Sequence, residues 1–293
     1  MELRHLRYFI AVAEELHFAR AAARLRIEQS PLSRAIKDLE RELGVALFER
    51  TTRSTRLTYP GEVFLQDARS IVALVQMAAR SAREAAGGRR GRLRISVGDG
   101  LVTDRVSRLL AGLRAELPDV ELRLLDLSST QQLAALRAGE IDVAFTLRDA
   151  GGGDLRAVPV WTEPLAVALP ARHPLAATES IDAGALRGEP TIMCHPELGS
   201  GCHDQVMGVL RSANVEPRVV EYALLRSTML MLVAAGFGLG FTALGSASND
   251  FVAGVVLRPV RAPKATLTVY GVSRSKGASA SVEVALRVAA SLG

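Results

Sequence analysis

Cysteine is scarce in this sequence, and its scarcity excludes a disulfide-stapled scaffold. The 293 residues contain two cysteines, Cys194 and Cys202, whereas small disulfide-rich domains carry many in a short chain. Hydrophobic residues make up 48% of the chain, which is enough for ordinary cores to stabilise the protein instead. We therefore expect the two cysteines to be unpaired and to pack as small apolar side chains.

Aromatic residues and long apolar runs are also scarce. Phe, Trp and Tyr make up 4% of the residues, while alanine and valine are abundant, so we expect helices packed on sheets rather than aromatic clusters. No apolar run is long enough to cross a membrane, and the opening residues, MELRHLRYF, lack the apolar centre of a signal peptide. We expect a cytoplasmic protein of two or three domains, without a membrane partner.

Positive charge is concentrated in the first third of the chain. Residues 1–91 contain 16 Lys and Arg against 11 Asp and Glu, whereas residues 92–293 contain 20 of each. The net charge of +5 therefore belongs to the N-terminal part. A basic segment joined to a neutral body is typical of nucleic-acid-binding proteins, whereas a stand-alone ligand-binding protein has no need of it.

Residues 18–43 are predicted to form two short helices joined by a tight turn. The first is rich in alanine, which allows the second to cross it closely. Ser30 followed by Pro31 predicts the start of the second helix, with Ser30 as its cap. The apolar stripe of this helix is formed by Leu32, Ile36, Leu39 and Leu43. Its polar, basic face contains Gln29, Ser33, Arg34, Lys37 and Arg41.

This polar face suits the DNA major groove, because Gln, Ser and Arg reach base edges while Lys and Arg bind phosphates. The following segment, LFERTTRSTRLTYPG, predicts a β-hairpin wing with Arg50, Arg53 and Arg56 at intervals of three residues. Arginines in a wing can enter the minor groove or clamp phosphates. The alternatives are a surface helix with a solvated basic face and an ordinary solvated hairpin. The excess of positive charge in this part of the chain favours DNA.

Three stretches of the N-terminal part resemble the winged helix-turn-helix domain of the LysR-type transcriptional regulators. They are LRHLRYFIAVAEELHFARAAARL, QSPLSRAIKDLERELGVALFER and RLT. The resemblance implies a bacterial regulator that binds double-stranded operator DNA with two half-sites, with RNA polymerase as a further candidate partner. Glu28 departs from the family pattern, which usually has Ser or Thr there to cap the recognition helix. The expected DNA contacts are Gln29, Ser30, Ser33, Arg34, Lys37, Arg50, Arg53 and Arg56.

A long helix is predicted from Pro60 to Ala86, because no proline or glycine interrupts the chain after Gly61. Its heptad seam of mostly small residues consists of Phe64, Ala68, Ile71, Val75, Ala78, Ala82 and Ala85. In LysR-type proteins this linker helix pairs with a second copy, so the resemblance implies a homodimer or homotetramer. The alternative is packing against the C-terminal part of the same chain.

Beyond residue 91 short apolar runs alternate with helical segments, which predicts parallel sheets with right-handed crossovers. Separate strands are predicted over 156–160 and 165–170, with a crossing into a second lobe between them at Trp161-Thr162-Glu163-Pro164. ARHPLA and VAAGFGLGF resemble parts of the LysR-type effector domain, whose two lobes are similar to those of periplasmic solute-binding proteins.

These observations predict an α/β chain with an N-terminal winged helix-turn-helix, a long linker helix and a two-lobed, periplasmic-binding-protein-like effector domain. The predicted boundaries are 1–59 for the DNA-binding domain, 60–86 for the linker helix, 87–91 for a basic hinge and 92–293 for the effector domain. Within the effector domain we predict lobe I over 92–161 and 266–293, and lobe II over 162–265.

A ligand is expected beyond the carboxyl ends of the strands, beside helix N-termini. The run Ser128-Ser129-Thr130 is the best match, because hydroxyls and N–H groups at a helix start bind carboxylates, although helix capping alone is the alternative. By resemblance the effector is a small organic acid or an aromatic compound. Asp99 would repel an anion, and Arg148 and Arg226 are possible compensating charges, with an ordinary surface position as the alternative for both. The expected effector contacts are Asp99, Gly100, Leu101, Ser128, Ser129, Thr130, Ser200, Cys202, His203 and Arg226.

The sequence contains two Cys-His pairs, Cys194-His195 and Cys202-His203. They suggest two alternatives to simple apolar packing of the cysteines, namely a zinc or copper site and a redox switch. Neighbouring side chains on a strand point to opposite faces, so we expect no metal and no cofactor, and place Cys202 and His203 in the pocket lining. No GxSxG, HExxH or lysine-bearing phosphate loop is present, so we expect no enzyme. The competing class is an α/β small-molecule-binding protein or enzyme whose N-terminal segment only dimerises it.

Overall fold

The computed structural model describes residues 1–50, 55–86, 91–98, 101, 104–245 and 252–293, which form two compact units. No helix in these parts of the chain is long and apolar enough to cross a membrane. The N-terminal unit contains α1 (Leu3–Glu15), α2 (Phe18–Leu25), α3 (Gln29–Leu43), β1 (Phe48–Arg50), β2 (Thr55–Leu57) and α4 (Tyr59–Ala86).

The core of the N-terminal unit is built around Phe9 of α1, which is fully buried. Its ring lies 5.3 Å from the ring of Phe48 in β1 and 5.1 Å from that of Phe64 in α4. Phe18 of α2 also contacts Phe48, with 5.9 Å between ring centroids. The expectation that aromatic clusters play no part is therefore wrong here, because the few available rings join the wing and α4 to the helices.

The start of α3 differs from the prediction. The helix begins at Gln29 with Glu28 as its extended N-cap residue, so the predicted cap by Ser30 is wrong. Pro31 is the third residue of the helix, where it is tolerated because the first four N–H groups have no carbonyl partner within the helix. Arg26, at the end of α2, adopts a left-handed conformation with φ of 56°, which makes the turn before α3 tight.

Two side-chain contacts fix how α4 leaves the helix-turn-helix. Thr58 Oγ donates a hydrogen bond to the carbonyl of Ala46 at 2.7 Å and accepts one from the N–H of Gly61 at 3.0 Å. Gly61 lies so close to the carbonyl of Leu47 that any side chain there would overlap it. The first turn of α4 is therefore held against the chain that leads into the wing.

Glu14 of α1 connects three helices of this unit. Its carboxylate binds Arg24 of α2 and Arg69 of α4, each at 2.8 Å. The hydrogen bond that Arg24 donates to Glu14 raises the pKa of Arg24 above its ordinary value, because the carboxylate favours the charged guanidinium. These two contacts on one side of α1 orient α2, and with it the turn that leads into α3.

The C-terminal unit is an α/β structure with a central mixed sheet in the order β4-β3-β5-β12-β6-β10-β8-β9, and β11 and β7 lie beside β6. The sequence did not predict β7 or β11. The elements are β3 (Arg92–Val97), α5 (Asp104–Glu116), β4 (Glu121–Asp126), α6 (Ser129–Arg137), β5 (Val143–Thr146), β6 (Leu155–Pro170), β7 (Ile181–Asp182), β8 (Pro190–Cys194), α7 (Ser200–Ser212), β9 (Arg218–Ala223), α8 (Arg226–Ala234), β10 (Leu239–Ala243), β11 (Val255–Arg261), β12 (Thr266–Arg274) and α9 (Ala280–Ala290).

The sheet is parallel only in part. β3 is parallel to β4 and β5, and β8 is parallel to β9 and β10, as predicted. β6 is antiparallel to β10, β11 and β12, and β12 is also antiparallel to β5. The prediction of parallel sheets is therefore wrong for β6 and β12, the strands that join the lobes.

The two lobes share one continuous strand, β6, where the sequence predicts two strands and a crossing. Residues 155–164 of β6 pair with β12, and residues 165–170 pair with β10 and β11. Pro159 and Pro164 made a break plausible, since proline cannot donate to a sheet ladder. A bulge beside Pro159 absorbs that defect, because the register shifts between Val269 and Tyr270 of β12.

A half-buried ion cluster anchors α6 in lobe I. Arg94 of β3 binds the carboxylate of Asp142 with contacts of 2.6 Å and 3.0 Å. Arg274 of β12 lies 3.8 Å from the same carboxylate and donates to the carbonyls of Leu136 and Ile141 at 2.8 Å and 3.2 Å. The guanidinium thus occupies the C-terminal end of α6, where a helix favours positive charge. The opposite end of α6 faces the cleft described below.

Candidate functional site

The exposed face of α3 is polar and basic, as the sequence predicts. Leu32, Ile36 and Leu39 are buried on the opposite side. The predicted DNA contacts on the exposed face are Gln29, Ser30, Arg34 and Lys37, with Ser33 half-buried among them. Arg41, one turn further, pairs with Asp38 at 2.9 Å. An exposed helix with this pattern presents donors for base edges at one end and cations for phosphates at the other.

The predicted wing contains the antiparallel strands β1 and β2, with Glu49 opposite Arg56 and Arg50 opposite Thr55. Arg56 is exposed. Arg53 lies outside the described residues, and only the backbone of Arg50 is described. Of the three predicted wing arginines, the structure therefore gives a side-chain environment for Arg56.

Glu40 holds the wing against α3, a role that the sequence did not reveal. Its Oε1 accepts hydrogen bonds from the N–H groups of Leu47 and Phe48, at 2.9 Å and 3.1 Å. A carboxylate that accepts two backbone N–H groups makes charge-assisted bonds, which are stronger than neutral ones. The wing and the polar face of α3 are thus fixed relative to each other.

The C-terminal unit contains a cleft of about 720 Å³ between its two lobes. Lobe I contributes the ends of β3, β4 and β5 and the start of α6, and lobe II contributes β8, α7, α8 and β10. Most of the wall is apolar and includes Val106, Leu110, Met193, Leu225, Met229 and Phe241. An apolar cleft with a few converging polar groups is the usual form of a small-molecule site.

Four of the predicted effector contacts line this cleft, namely Ser128, Ser129, Cys202 and Arg226. Asp99 and Gly100 lie outside the described residues. Leu101 is instead buried in the core of lobe I. Three further predicted residues are not among the lining residues, namely Thr130, Ser200 and His203. They point elsewhere because they lie on other faces of the first turns of α6 and α7.

Ser128 and Gln131 form a reciprocal cap at the start of α6. The N–H of Ser128 donates to the side-chain oxygen of Gln131 at 2.9 Å, and the N–H of Gln131 donates to the Ser128 hydroxyl at 3.4 Å. This is the geometry of a capping box, so the capping alternative accounts for part of this run. Both side chains also line the cleft, together with Ser129. The helix start therefore presents hydroxyl groups to any molecule in the cleft.

Arg226 provides a positive charge on the lobe II side. It is the first residue of α8, and its Nε donates to the hydroxyl of Thr242 in β10 at 2.9 Å. Both residues line the cleft. Asp126, at the end of β4 in lobe I, is an acidic residue of the same lining. The cleft thus has a guanidinium on one side, and a carboxylate and hydroxyl groups on the other.

Cys194 and Cys202 are joined by a disulfide, so the expectation that they are unpaired is wrong. Their Cα atoms lie 6.1 Å apart, within the usual range for a disulfide. Cys194 is the last residue of β8 and Cys202 lies in the first turn of α7, and the fold of the loop between them brings two residues eight apart together. Sequence spacing alone gives no sign of this turn. The described residues contain no cluster of ligands that could hold a metal ion.

Gln205 and Thr130 make contacts that cross between the lobes, and the sequence did not reveal the role of Gln205. Gln205 of α7 donates to the carbonyls of Leu147 and Thr268, and its side-chain oxygen accepts from the N–H of Thr268 at 2.7 Å. Thr130 of α6 donates its hydroxyl to the carbonyl of Glu197 at 3.1 Å. Glu197 lies in the segment that the disulfide closes, so its contact with Thr130 links the start of α6 to lobe II.

Family models match nearly the whole chain. Residues 3–62 match the bacterial regulatory helix-turn-helix proteins of the lysR family, and residues 86–291 match the LysR substrate binding domain. The chain is 39% identical over 239 residues to the uncharacterized HTH-type transcriptional regulator YnfL of Escherichia coli (strain K12), which covers 81% of this chain and 80% of that protein. It is 35% identical over 261 residues to the Hca operon transcriptional activator HcaR of the same strain, with 89% and 87% covered.

Solved structures agree with these matches. The crystal structure of CbnR, a LysR family transcriptional regulator, shares 26% sequence identity and superposes with a TM-score of 0.64, covering 100% of this chain and 99% of that one. The structure of full-length CbnR complexed with its target DNA superposes with a TM-score of 0.61 at 25% identity, with the same coverage.

Proposed function

Since this chain belongs to the LysR family of bacterial DNA-binding transcriptional regulators with an effector-binding domain, we propose that α3 and the wing bind an operator and that the cleft binds the controlling effector. The observation that carries the proposal is the exposed polar face of α3 in a basic N-terminal unit. The relatives described above carry the names of transcriptional regulators, which favours regulation over an enzymatic role.

At the operator, Gln29, Ser30, Ser33 and Arg34 would contact base edges from the first turns of α3, and Lys37 would contact phosphate. The wing arginines, Arg50, Arg53 and Arg56, would contact phosphates or the adjacent minor groove. Support comes from Glu40, which holds the wing beside α3 so that both can meet one stretch of DNA. Such a protein acts where the chromosome is, so we propose a cytoplasmic location and RNA polymerase as a further partner.

Fluorescence anisotropy of the purified chain on DNA from upstream of its own gene tests the proposal. Scrambled DNA of the same length serves as the control, at low and at physiological salt. We expect about thousandfold tighter binding to the native fragment at physiological salt, because specific sites exceed non-specific ones by at least this factor. Equal, salt-sensitive binding to both fragments would contradict sequence-specific recognition there.

We also propose that α4 pairs two copies of the chain. Phe64 and Ala68 of the predicted seam pack into the core of their own unit, whereas Ile71 and Val75 are exposed, as is Leu74 between them. An exposed apolar stripe on a long helix favours a partner helix, and a two-fold dimer matches an operator with two half-sites.

Placing aspartate at both Ile71 and Val75 is expected to raise the dimer dissociation constant by about 100-fold, because burying each apolar side chain contributes about 1.5–3 kcal/mol. Sedimentation velocity at a series of concentrations measures this change. The matched control places aspartate at Gln66 and Gln76, which are exposed positions of the same helix. Unchanged association of the first variant would show that the dimer forms elsewhere.

For the effector, we propose a small organic acid or aromatic compound whose anionic group lies near Arg226 and Thr242 and whose apolar part contacts Met229 and Phe241. The hydroxyl groups at the start of α6 would bind a second polar group. Binding across the cleft would change the relation of the two lobes, and through the dimer the spacing of the bound half-sites and the bending of the DNA.

Replacing Arg226 with alanine is expected to weaken binding of the anionic aromatic probe 1-anilinonaphthalene-8-sulfonate by about 10- to 100-fold, since hydrogen bonds to charged groups contribute about 1.5–3 kcal/mol. Fluorescence titration measures the dissociation constant of the probe for each variant. Arg148→Ala is the matched control, because Arg148 is not among the cleft-lining residues and its removal causes the same change of net charge. If both variants weakened probe binding equally, only the overall electrostatic field of the protein would attract the probe.

A further inference from the structure

The disulfide lies in the wall of the proposed effector cleft. Both Cys194 and Cys202 line the cleft and both are half-buried, so a small molecule that enters the cleft can reach the sulfur atoms. The chain contains no third cysteine, so no other pairing within one copy competes with this one. Access from the cleft distinguishes this pair from a structural disulfide sealed in a core.

The disulfide closes the segment His195–Gly199 and the first residues of α7 into a short ring. Inside the ring, the His195 side chain accepts hydrogen bonds from the N–H groups of Glu197 and Leu198 at 3.2 Å and 3.4 Å, and Gly199 donates to the His195 carbonyl at 2.8 Å. The carbonyl of Glu197 is also the acceptor for Thr130 of the opposite lobe. The segment that the disulfide constrains is therefore also a segment that joins the lobes beside the cleft.

We propose that Cys194 and Cys202 are a reversible redox site that sets the affinity of the cleft for its effector, an inference that rests on the proposed function of the cleft. The co-reactant is a low-molecular-weight thiol–disulfide couple. In oxidation, one protein thiolate attacks the small disulfide and releases a thiolate, and the second protein thiolate displaces the other half of the molecule. The dithiol thus loses two electrons and two protons, and one small disulfide becomes two thiols. A small dithiol or two thiols reverse the exchange.

The oxidised form binds the effector more tightly. The covalent link holds the cleft wall and the Glu197 carbonyl in one arrangement before a ligand arrives, and a preorganised site loses less conformational entropy on binding. In the reduced form the ends of the ring separate and the segment gains freedom. The contact from Thr130 then no longer meets a fixed acceptor. The redox state of the surroundings and the effector would therefore act together on the two lobes.

The first test follows the thiols in the full-length protein. The chain is equilibrated in a series of buffers with different ratios of reduced to oxidised glutathione and is then alkylated with N-ethylmaleimide. Mass spectrometry gives the mass of the alkylated protein. We expect reduced protein with two N-ethylmaleimide adducts to give way to oxidised protein with none in a single two-electron transition. The two cysteines gain and lose their electrons together. Two adducts across the whole series would overturn the proposal. In the same samples, amide hydrogen exchange of residues 197–199 is expected to be about tenfold faster in the reduced form.

The second test measures the cleft with 1-anilinonaphthalene-8-sulfonate. We expect about threefold or tighter binding to the oxidised than to the reduced wild type, because only the wall is preorganised and no contact is removed. The double variant C194S/C202S should match the reduced wild type in both buffers, which excludes an effect of the reductant itself.

The two proposals fail differently. Equal probe affinity in the two redox states, in a wild type whose binding Arg226→Ala weakens, would overturn the redox control and leave the effector cleft standing. Binding that Arg226→Ala does not weaken would overturn the assigned effector site. The amide exchange rates of residues 197–199 would then still decide the redox site, and equal rates in both forms would overturn it.

Discussion

Arg34→Ala is expected to weaken binding to the native upstream DNA by about 10- to 100-fold, because one good base contact contributes about 1–3 kcal/mol of discrimination. Affinity for scrambled DNA should fall far less. Arg34 is exposed on α3 and its side chain is no part of the core, so the N-terminal unit should fold as before. Anisotropy titrations against both fragments, with far-ultraviolet circular dichroism as a check of folding, measure these effects.

Arg41→Ala is the matched control for Arg34→Ala. Arg41 lies on the same helix and carries the same charge, but it sits near the C-terminal end and pairs with Asp38. Its loss should weaken binding to the native and scrambled fragments alike and reduce the salt dependence by about one charge, as for a phosphate contact. If Arg34→Ala behaved in the same way, α3 would contact the DNA backbone without reading bases at that position.

The helix-turn-helix could be predicted well because its signals are local. The spacing of Leu32, Ile36 and Leu39 fixes the buried side of α3, and the exposed side follows from it. The start of the helix could not be predicted as well, because Ser30-Pro31 is equally compatible with a cap and with a first turn. The role of Glu40 was also missed, since it depends on how the wing folds back onto α3.

The position of the cleft could be predicted from the sequence, but several of the residues that line it could not. Parallel strands bring their carboxyl ends to one edge, which is why Ser128 and Ser129 were expected there. Met229 and Phe241 sit in a helix and a strand whose patterns look like ordinary core, and their place in the cleft depends on how the two lobes meet. The continuous strand β6 was missed because a bulge within β6, next to Pro159, lets the strand continue past the proline.

Gly201→Ala is expected to lower the free energy of unfolding of the C-terminal unit by about 3 kcal/mol, the upper part of the usual range for overpacking. Gly201 is buried in the first turn of α7, and a Cβ there would lie 2.6 Å from the carbonyl carbon of Leu147 and 2.8 Å from the Cα of Arg148. These are backbone atoms, so no side-chain rotation can relieve the overlap and α7 must move away from β5. Urea unfolding followed by Trp161 fluorescence measures the effect.

Trp161 makes this measurement specific, because it is the only tryptophan of the chain and lies buried in β6, stacked on Phe145 with 5.8 Å between ring centroids. Gly208→Ala in the same helix is the control: a Cβ there meets no atom within 4 Å, and it should stabilise the unit by up to about 1 kcal/mol through helix propensity. Unchanged stability of Gly201→Ala would contradict the close packing of α7 on β5. If the packing is as close as the structure has it, Gly201→Ala must also displace Cys202 from the cleft wall and weaken probe binding, whereas Gly208→Ala must leave that binding intact.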